Sequence, residues 1–138
     1  MLRLARVMKN APAWCMTFGM PFMGTSNYEY MGGEVPRYFN LLQQKRFDEA
    51  MDIYWRLHPA RQANQQVSSQ LLGASLVHRM VWKYEYWLNG FNGGPIRQPH
   101  MRINDNQMRV LRQGHARAGL TAAPGEDADF FVGRNPME

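Results

Sequence analysis

The chain has 138 residues, enough for one domain with a hydrophobic core, and its 45% share of hydrophobic residues excludes a disordered polypeptide. No apolar run approaches the roughly 20 residues that a membrane-spanning helix needs, and the N-terminus has no secretory signal, so we expect a cytoplasmic protein with no membrane partner. The net charge of +5 is dispersed without a block of like charges, so it does not favour a nucleic-acid partner.

The first part of the chain predicts the end of an α/β unit. Residues 2–9 mix apolar and basic side chains as a short amphipathic helix does, and the Asn-Ala-Pro sequence at residues 10–12 is expected to end that helix. The nearly continuous apolar run at residues 14–18 (WCMTF) then predicts a strand buried on both faces, as in a parallel sheet covered by helices. A glycine-rich loop follows, with one short strand expected near residues 25–30.

The middle of the chain predicts helices. Pro36 suits the first turn of a helix because its φ angle is already helical. Residues 48–64 form the clearest amphipathic helix, and Pro59 is expected to kink or break it. A second long helix is predicted over residues 67–89, where apolar residues recur at i, i+4 spacing until a glycine-rich sequence ends the pattern.

A last helix is predicted near the C-terminus. Asn104, followed three positions later by Gln107, predicts a capping box at its start, and Gly119 is well placed to end it. The sequence after this helix is rich in Pro, Gly and Asp and predicts an extended tail, which the Phe-Phe-Val sequence at residues 130–132 is expected to anchor.

Two stretches of this chain resemble the end of the dihydrodipicolinate synthase and N-acetylneuraminate lyase family. Residues 93–120 carry an R-x-P turn, Arg97 and Pro99, followed by a last helix that ends in Gly-Leu. Upstream, the sequence GGEVPRYFNLLQQKRFDEAMDIYWRLHP resembles the family's passage from the last barrel strand into its C-terminal helices. The sequences YEYMGGEVPRYF and FFVGRNP resemble the branch of hydratase-aldolases that act on aromatic ylidene-pyruvates. The resemblance covers most of residues 24–120.

The resemblance implies a mostly α fold, a C-terminal helical domain plus the last βα elements of an incomplete (β/α)8 TIM barrel. It implies a class I (Schiff-base) lyase, aldolase or hydratase, in which a lysine forms an imine with pyruvate or another 2-keto acid and no cofactor is needed. That lysine would precede Met1, so we expect a fragment that is inactive alone and belongs to a homo-oligomer. The regions expected are residues 1–36 as a barrel remnant, residues 37–120 as the helical domain and residues 121–138 as a tail.

The candidate substrate-binding segment is the loop of Gly24, Thr25, Ser26, Asn27 and Tyr28. At the C-terminal end of a barrel strand, small and hydroxylated residues present backbone N–H groups and side-chain donors to a substrate carboxylate. An ordinary turn, in which Ser and Asn cap their own backbone, explains the same residues equally well.

No residue of the chain is predicted to be catalytic. Lys9, Lys45 and Lys83 are interpreted as solvated side chains, because an imine-forming lysine must be desolvated or lie near another cation. The four histidines show no metal-ligand spacing, and the single cysteine, Cys15, allows neither an intramolecular disulfide nor a thiolate metal cluster within one chain. The alternative function is a small basic helical module that binds a protein or nucleic-acid partner, which requires basic residues gathered on one face.

Overall fold

The computed structural model describes residues 4–19, 28–72, 79–97 and 102–135. In these residues the chain forms six α-helices and two short 3-10 helices, and it contains no strand, which confirms the mostly α prediction. None of the described helices is long and apolar enough to cross a membrane. The helices are α1 (Leu4–Phe18), α2 (Glu34–Gln43), α3 (Phe47–Arg56), α4 (His58–Leu72), α5 (Arg79–Leu88) and α6 (Asp105–Arg117).

The described chain divides into two compact units, Met1–His58 (unit 1) and Pro59–Glu138 (unit 2). The break that the sequence predicts at Pro59 is confirmed, since α3 ends at Arg56 and Pro59 lies in the first turn of α4. A proline costs little there because its missing N–H would have no partner within the helix. The division into residues 1–36, 37–120 and 121–138 stays a prediction.

In unit 1, α1 replaces the predicted succession of helix, breaker and strand. Residues 4–18 form one continuous helix with Pro12 inside it, so the helix end at residues 10–12 and the strand at residues 14–18 were wrong predictions. A short run that is almost entirely apolar has no periodicity that separates a strand from a helix. Its side chains stay half-buried or exposed, whereas Met8 and Ala11 in the first part of α1 are fully buried.

Pro12 leaves a gap in the backbone hydrogen bonds of α1, and α2 fills it. In a regular helix the Met8 carbonyl would accept a bond from the N–H of residue 12, which a proline lacks. The Tyr38 hydroxyl on α2 donates to that carbonyl instead, at 2.9 Å. Tyr38 is fully buried, and its ring lies 6.3 Å from that of Tyr54 on α3. The same tyrosine therefore joins all three helices of unit 1.

Unit 2 has a core built by α4, α5, α6 and the C-terminal segment, residues 119–135. The predicted capping box is confirmed at α6, where Gln107 N–H donates to Asn104 Oδ1 at 2.9 Å and Asn104 N–H donates to Gln107 Oε1 at 3.0 Å. Gly119 follows α6 with a φ of +70°, as predicted for a helix-ending glycine. The helix predicted over residues 67–89 corresponds to the end of α4 and to α5, and residues 73–78 between them lie outside the described part.

Gly114 sets the distance between α6 and α4. A Cβ atom at this position would lie 2.4 Å from the Ala63 Cβ and 3.0 Å from the Pro59 carbonyl oxygen. Neither neighbour is the end of a flexible side chain, so one helix would have to move. The two helices therefore approach to a separation that only glycine permits at residue 114.

Glu85 is a carboxyl group inside unit 2. It lies on α5, is 3% exposed, and accepts a hydrogen bond at 2.7 Å from Nδ2 of Asn64 on α4. Burial raises the pKa of Glu85 well above its usual range, and the Asn64 hydrogen bond offsets part of that increase. The protonated form is therefore the one that the folded chain favours.

Removal of the Tyr38 hydroxyl is expected to lower the stability of the chain strongly only when residue 12 is proline. Tyr38→Phe should lower the free energy of unfolding by about 1–3 kcal/mol, because it removes the donor that takes the place of the missing N–H of residue 12 at the buried Met8 carbonyl. In a Pro12→Ala background the N–H of residue 12 supplies that donor, so the same substitution should cost clearly less. Urea unfolding of the wild type, both single variants and the double variant measures the coupling, and simple additivity of the two changes would contradict this account.

Gly114→Ala is expected to reverse the usual effect of replacing a helical glycine. Helix propensity alone favours alanine by about 1 kcal/mol, but the clash with Ala63 and Pro59 should make the variant less stable by about 1–3 kcal/mol. Gly33→Ala is the matched control, because a Cβ there meets nothing within 4 Å among the described residues. We expect it to change stability by about 0.5 kcal/mol at most. A stabilising Gly114→Ala, measured by thermal unfolding, would exclude the close crossing.

Glu85→Gln is expected to stabilise the chain at neutral and alkaline pH. Because the pKa is raised in the folded state, the contribution of Glu85 to stability is complete below the unfolded pKa and is lost as pH rises towards the folded pKa. Glutamine keeps the acceptor for Asn64 and never ionises. The free energy of unfolding of the variant should therefore exceed that of the wild type by on the order of 1 kcal/mol near pH 8, and the two should be equal near pH 4. Parallel stability curves for both proteins between these pH values would refute the assignment.

Candidate functional site

The loop predicted to bind substrate lies mostly outside the described residues. Gly24, Thr25, Ser26 and Asn27 are in the part that the structure does not describe. Tyr28 is buried, its ring lies 6.5 Å from that of Tyr30, and its carbonyl accepts a hydrogen bond from Met31 N–H at 2.9 Å. Tyr28 is thus part of the packing around a short 3-10 helix, and the binding role of the loop stays a prediction.

The two lysines whose side chains the structure describes, Lys45 and Lys83, are not placed as imine-forming amines. Lys45 is exposed in the turn between α2 and α3, where its φ is +61°. Lys83 on α5 donates to the Pro95 carbonyl at 2.9 Å, and partial burial lowers its pKa. Lys9 lies in α1. A lysine that donates to a carbonyl at the surface is held in place rather than presented to a substrate.

The described residues contain no group of three or more His, Cys, Asp or Glu that could hold a metal ion. His58 is half-buried and its ring lies 5.6 Å from that of Trp55. His115 on α6 is buried; desolvation lowers its pKa, a hydrogen bond with the Thr121 backbone opposes this, and the charge of Arg112 adds to the decrease. The lowered pKa favours the neutral imidazole, and its Nε2 atom is buried without a hydrogen-bond partner among the described residues.

A groove between α2 and α3 has a volume of about 260 Å³. It is lined by both signs of charge, with Arg37 and Arg56 facing Glu49 and Asp52. Arg56 also forms an ion pair with Glu34. This lining has no excess of either charge to select a charged ligand.

Among the described residues, the assembly with the most interacting polar and aromatic side chains is in unit 2, around Trp87. We call it the Trp87 cluster, and its members are Tyr84 and Trp87 of α5, Arg112 of α6, and Asp127, Phe130 and Arg134 of the C-terminal segment. The C-terminal segment contains a 3-10 helix, residues 127–131. Phe130 in this helix is fully buried in the core of unit 2. The cluster therefore joins two helices to the end of the chain.

One carboxylate oxygen of Asp127 receives two side-chain donors. The Tyr84 hydroxyl donates to Asp127 Oδ1 at 2.6 Å, and Arg112 donates to the same oxygen through Nε at 3.0 Å and through Nη2. Burial raises the pKa of Tyr84, and the hydrogen bond to Asp127 raises it further. Tyr84 thus remains a proton-bearing donor at neutral pH. The side chains of Arg112 and Asp127 are each about one-third exposed, at 34% and 36%.

Arg134 fixes the end of the chain through backbone groups. Its guanidinium lies 4.8 Å from the centre of the Trp87 ring and donates to three carbonyl oxygens, those of Phe91, Pro124 and Trp87. Stacking of a guanidinium on an indole is a favourable cation–π contact. With its donors used in this way, Arg134 acts as a clamp on the backbone.

The Trp87 indole is fully buried, and two glycines are needed to enclose it. A Cβ at Gly93 would lie 2.6 Å from Trp87 Cδ1, and one at Gly125 would lie 2.8 Å from Cζ2. Both glycines have a positive φ. The Trp87 Nε1–H group has no acceptor among the described residues, and a buried donor in this state costs about 1–3 kcal/mol.

The sequence predicts one member of this cluster, Phe130, as part of an anchor for the tail, and Phe130 is indeed buried while Phe131 and Val132 are exposed. It does not predict the rest, and Trp87 is interpreted only as a helical residue of the core or of an interface. Its members are spread over residues 84–134, and no local motif connects them. The signal that was available is the glycine-rich sequence after α5 together with a second Gly-rich, Phe-containing stretch near the C-terminus. Comparison of the chain with protein-family models, with curated proteins and with solved structures finds no match.

Proposed function

We propose that this chain is the C-terminal helical part of a class I (Schiff-base) lyase, aldolase or hydratase acting on pyruvate or another 2-keto acid. The observation that carries the proposal is that helices begin and end where the two stretches that resemble the lyase family predict them. The GGEVP sequence leads directly into α2, and α6 runs from the Asn104 cap to the Gly119 end. Sequence and helix boundaries thus support the same order of elements.

The proposal assigns the imine-forming lysine to a part of the enzyme outside this chain. Lys45 is exposed and Lys83 is bound to a carbonyl, so neither meets the requirement for a desolvated amine. What this chain would contribute is the surface against which a barrel and neighbouring subunits pack. A homo-oligomer belongs to the proposal, and several exposed apolar side chains support it, among them Phe18 (77%), Met16 (67%) and Trp55 (60%).

The proposal retains residues 1–36 as the end of a TIM barrel, with a qualification at α1. A strand satisfies its backbone N–H and C=O groups only through neighbouring strands, whereas a helix satisfies its own. A barrel segment without its neighbours is therefore expected to form a helix wherever its residues allow one. The apolar, unburied end of α1 agrees with that expectation.

The alternative, a basic module that binds nucleic acid, is less well supported. Arg46 pairs with Glu49, Arg112 with Asp127, and Arg134 with three carbonyls. These contacts hold basic side chains against other groups of the chain, so they are less available to bind phosphates.

Borohydride reduction in the presence of pyruvate tests the proposal. The chain alone should gain no reduced pyruvyl adduct by mass spectrometry, while the chain joined to the polypeptide encoded immediately upstream should gain one, on a lysine of the added part. An adduct on Lys9, Lys45 or Lys83 accompanied by turnover would contradict the proposed division of roles. A folded extended protein that forms no adduct would contradict the Schiff-base assignment itself.

A further inference from the structure

The Trp87 cluster has the composition of a ligand site with a carboxylate end. Tyr84 and Arg112 come from two different helices and converge on one oxygen of Asp127. A fixed hydroxyl and a guanidinium are donors that proteins use to bind a ligand carboxylate, because charge-assisted hydrogen bonds are strong and directional. Tyr84 is fully buried and Arg112 is partly exposed, so this end of the site is preformed and reachable from solvent.

The other end of the site is aromatic. The Phe130 ring stands edge-on to Tyr84 with centroids 5.2 Å apart, and it lies 6.0 Å from the Trp87 ring in a second edge-on contact. Tyr84 contributes to both ends, since its hydroxyl binds Asp127 and its ring contacts Phe130. The two ends therefore lie within the length of one side chain.

The chain's own residues fill this site without completing it. The Trp87 Nε1–H group is buried beside Phe130 and has no acceptor in the described chain. An occupant evolved only to cover the indole would be expected to supply one. This buried donor shows that the internal residues leave one polar group of the site unsatisfied.

The occupying residues are joined to α6 by a linker that can change conformation without unfolding a helix. Gly119 and Gly125 have φ angles of +70° and +129°, and Thr121, Pro124 and Glu126 are exposed. Along this linker, Ala123 N–H donates to the Leu88 carbonyl at 2.7 Å. Release of the 3-10 helix would break the Ala123 bond of the linker, and it would also break the bonds that Gly94 N–H and the Arg134 guanidinium make with the segment and its neighbours. A ligand that displaces the segment must offset the loss of these bonds.

We propose that Tyr84, Trp87 and Arg112 form a binding site for a small aromatic carboxylate, and that Asp127 and Phe130 occupy it as an internal ligand. The carboxylate of the external ligand takes the place of the Asp127 carboxylate, and its ring takes the place of the Phe130 ring. The C-terminal segment therefore inhibits binding until it is displaced. This site is independent of imine chemistry and does not depend on the function proposed above.

Hydrogen exchange of the wild-type chain with 3-phenylpropanoate as the probe tests the displacement. The N–H groups of Gly94 and Gly133 report on the segment, because they donate to the Phe130 and Asp129 carbonyls. Saturating probe should accelerate exchange at residues 127–134 and leave α2 and α3 unchanged. The neutral analogue 3-phenylpropan-1-ol, which lacks the carboxylate, should have little effect. Probe binding with unchanged or slower exchange of the segment would overturn the proposal.

Two substitutions test the carboxylate end by calorimetric titration. Asp127→Asn removes the competing charge, so the affinity for 3-phenylpropanoate should rise by about tenfold, since a larger fraction of the chain is then competent to bind. Arg112→Gln should abolish binding, and Arg112→Lys should restore part of it. Asp52→Asn, the same chemical change on α3, is the matched control and should leave the affinity unchanged.

Asp127 and Phe130 could outcompete the probe in the wild type, and the variants test the proposal in that case too. If Asp127→Asn remains folded by circular dichroism and binds no probe, the proposal is wrong. If it is unfolded, Arg112→Lys in comparison with the wild type becomes the deciding measurement, and equal probe affinity and exchange in the two proteins would overturn the carboxylate assignment.

Discussion

Enclosure of the Trp87 indole is the constraint on which unit 2 depends. The ring is buried by residues that follow α5, by residues that follow α6 and by the end of the described chain. Each segment that contacts the ring needs a particular residue there. Gly93 and Gly125 must lack a side chain, Phe130 supplies an aromatic ring, and Arg134 supplies a planar cation. Because one large side chain imposes all of these, the C-terminal segment is part of the core of unit 2.

Unit 1 depends on a smaller but comparable constraint. Pro12 removes one backbone donor from α1, and the buried Tyr38 hydroxyl replaces it at the Met8 carbonyl. A helix that contains proline is thereby completed by a neighbouring helix. In both units, a group that local structure leaves unsatisfied or uncovered is completed by a side chain from a distant position. The contacts that define the fold are therefore those between elements, and the helices themselves are the simpler part.

The features that the sequence predicts correctly are local ones. The Asn104–Gln107 capping box, the glycine after α6 and the break near Pro59 each follow from a few adjacent residues. The strand predicted at residues 14–18 failed because a charge-free apolar run satisfies either conformation, and the choice depends on which neighbours are present to pair with it. The composition of residues 14–18 does not indicate whether neighbouring strands are present for them to pair with.

The candidate site could not have been predicted in the same way. Tyr84 and Asp127 are 43 positions apart, and Trp87 and Arg134 are 47 apart, so no spacing rule connects them. Their chemistry is visible only once α5, α6 and the C-terminal segment are placed side by side. The loop at residues 24–28, in contrast, was chosen from residue type and resemblance, and only Tyr28 of that loop has a described environment.

The way in which Arg134 is bound has a consequence for how this sequence can change. Its acceptors are main-chain carbonyls, which every amino acid provides, so the identities of the side chains at Phe91 and Pro124 are not what it recognises. Substitutions at these two positions can accumulate while the contact persists, provided that the path of the backbone is kept. The positions with no such freedom are Gly93, Gly125, Phe130 and Arg134 itself. Divergent sequences that share this fold should therefore be identifiable by these four separated positions rather than by any continuous motif.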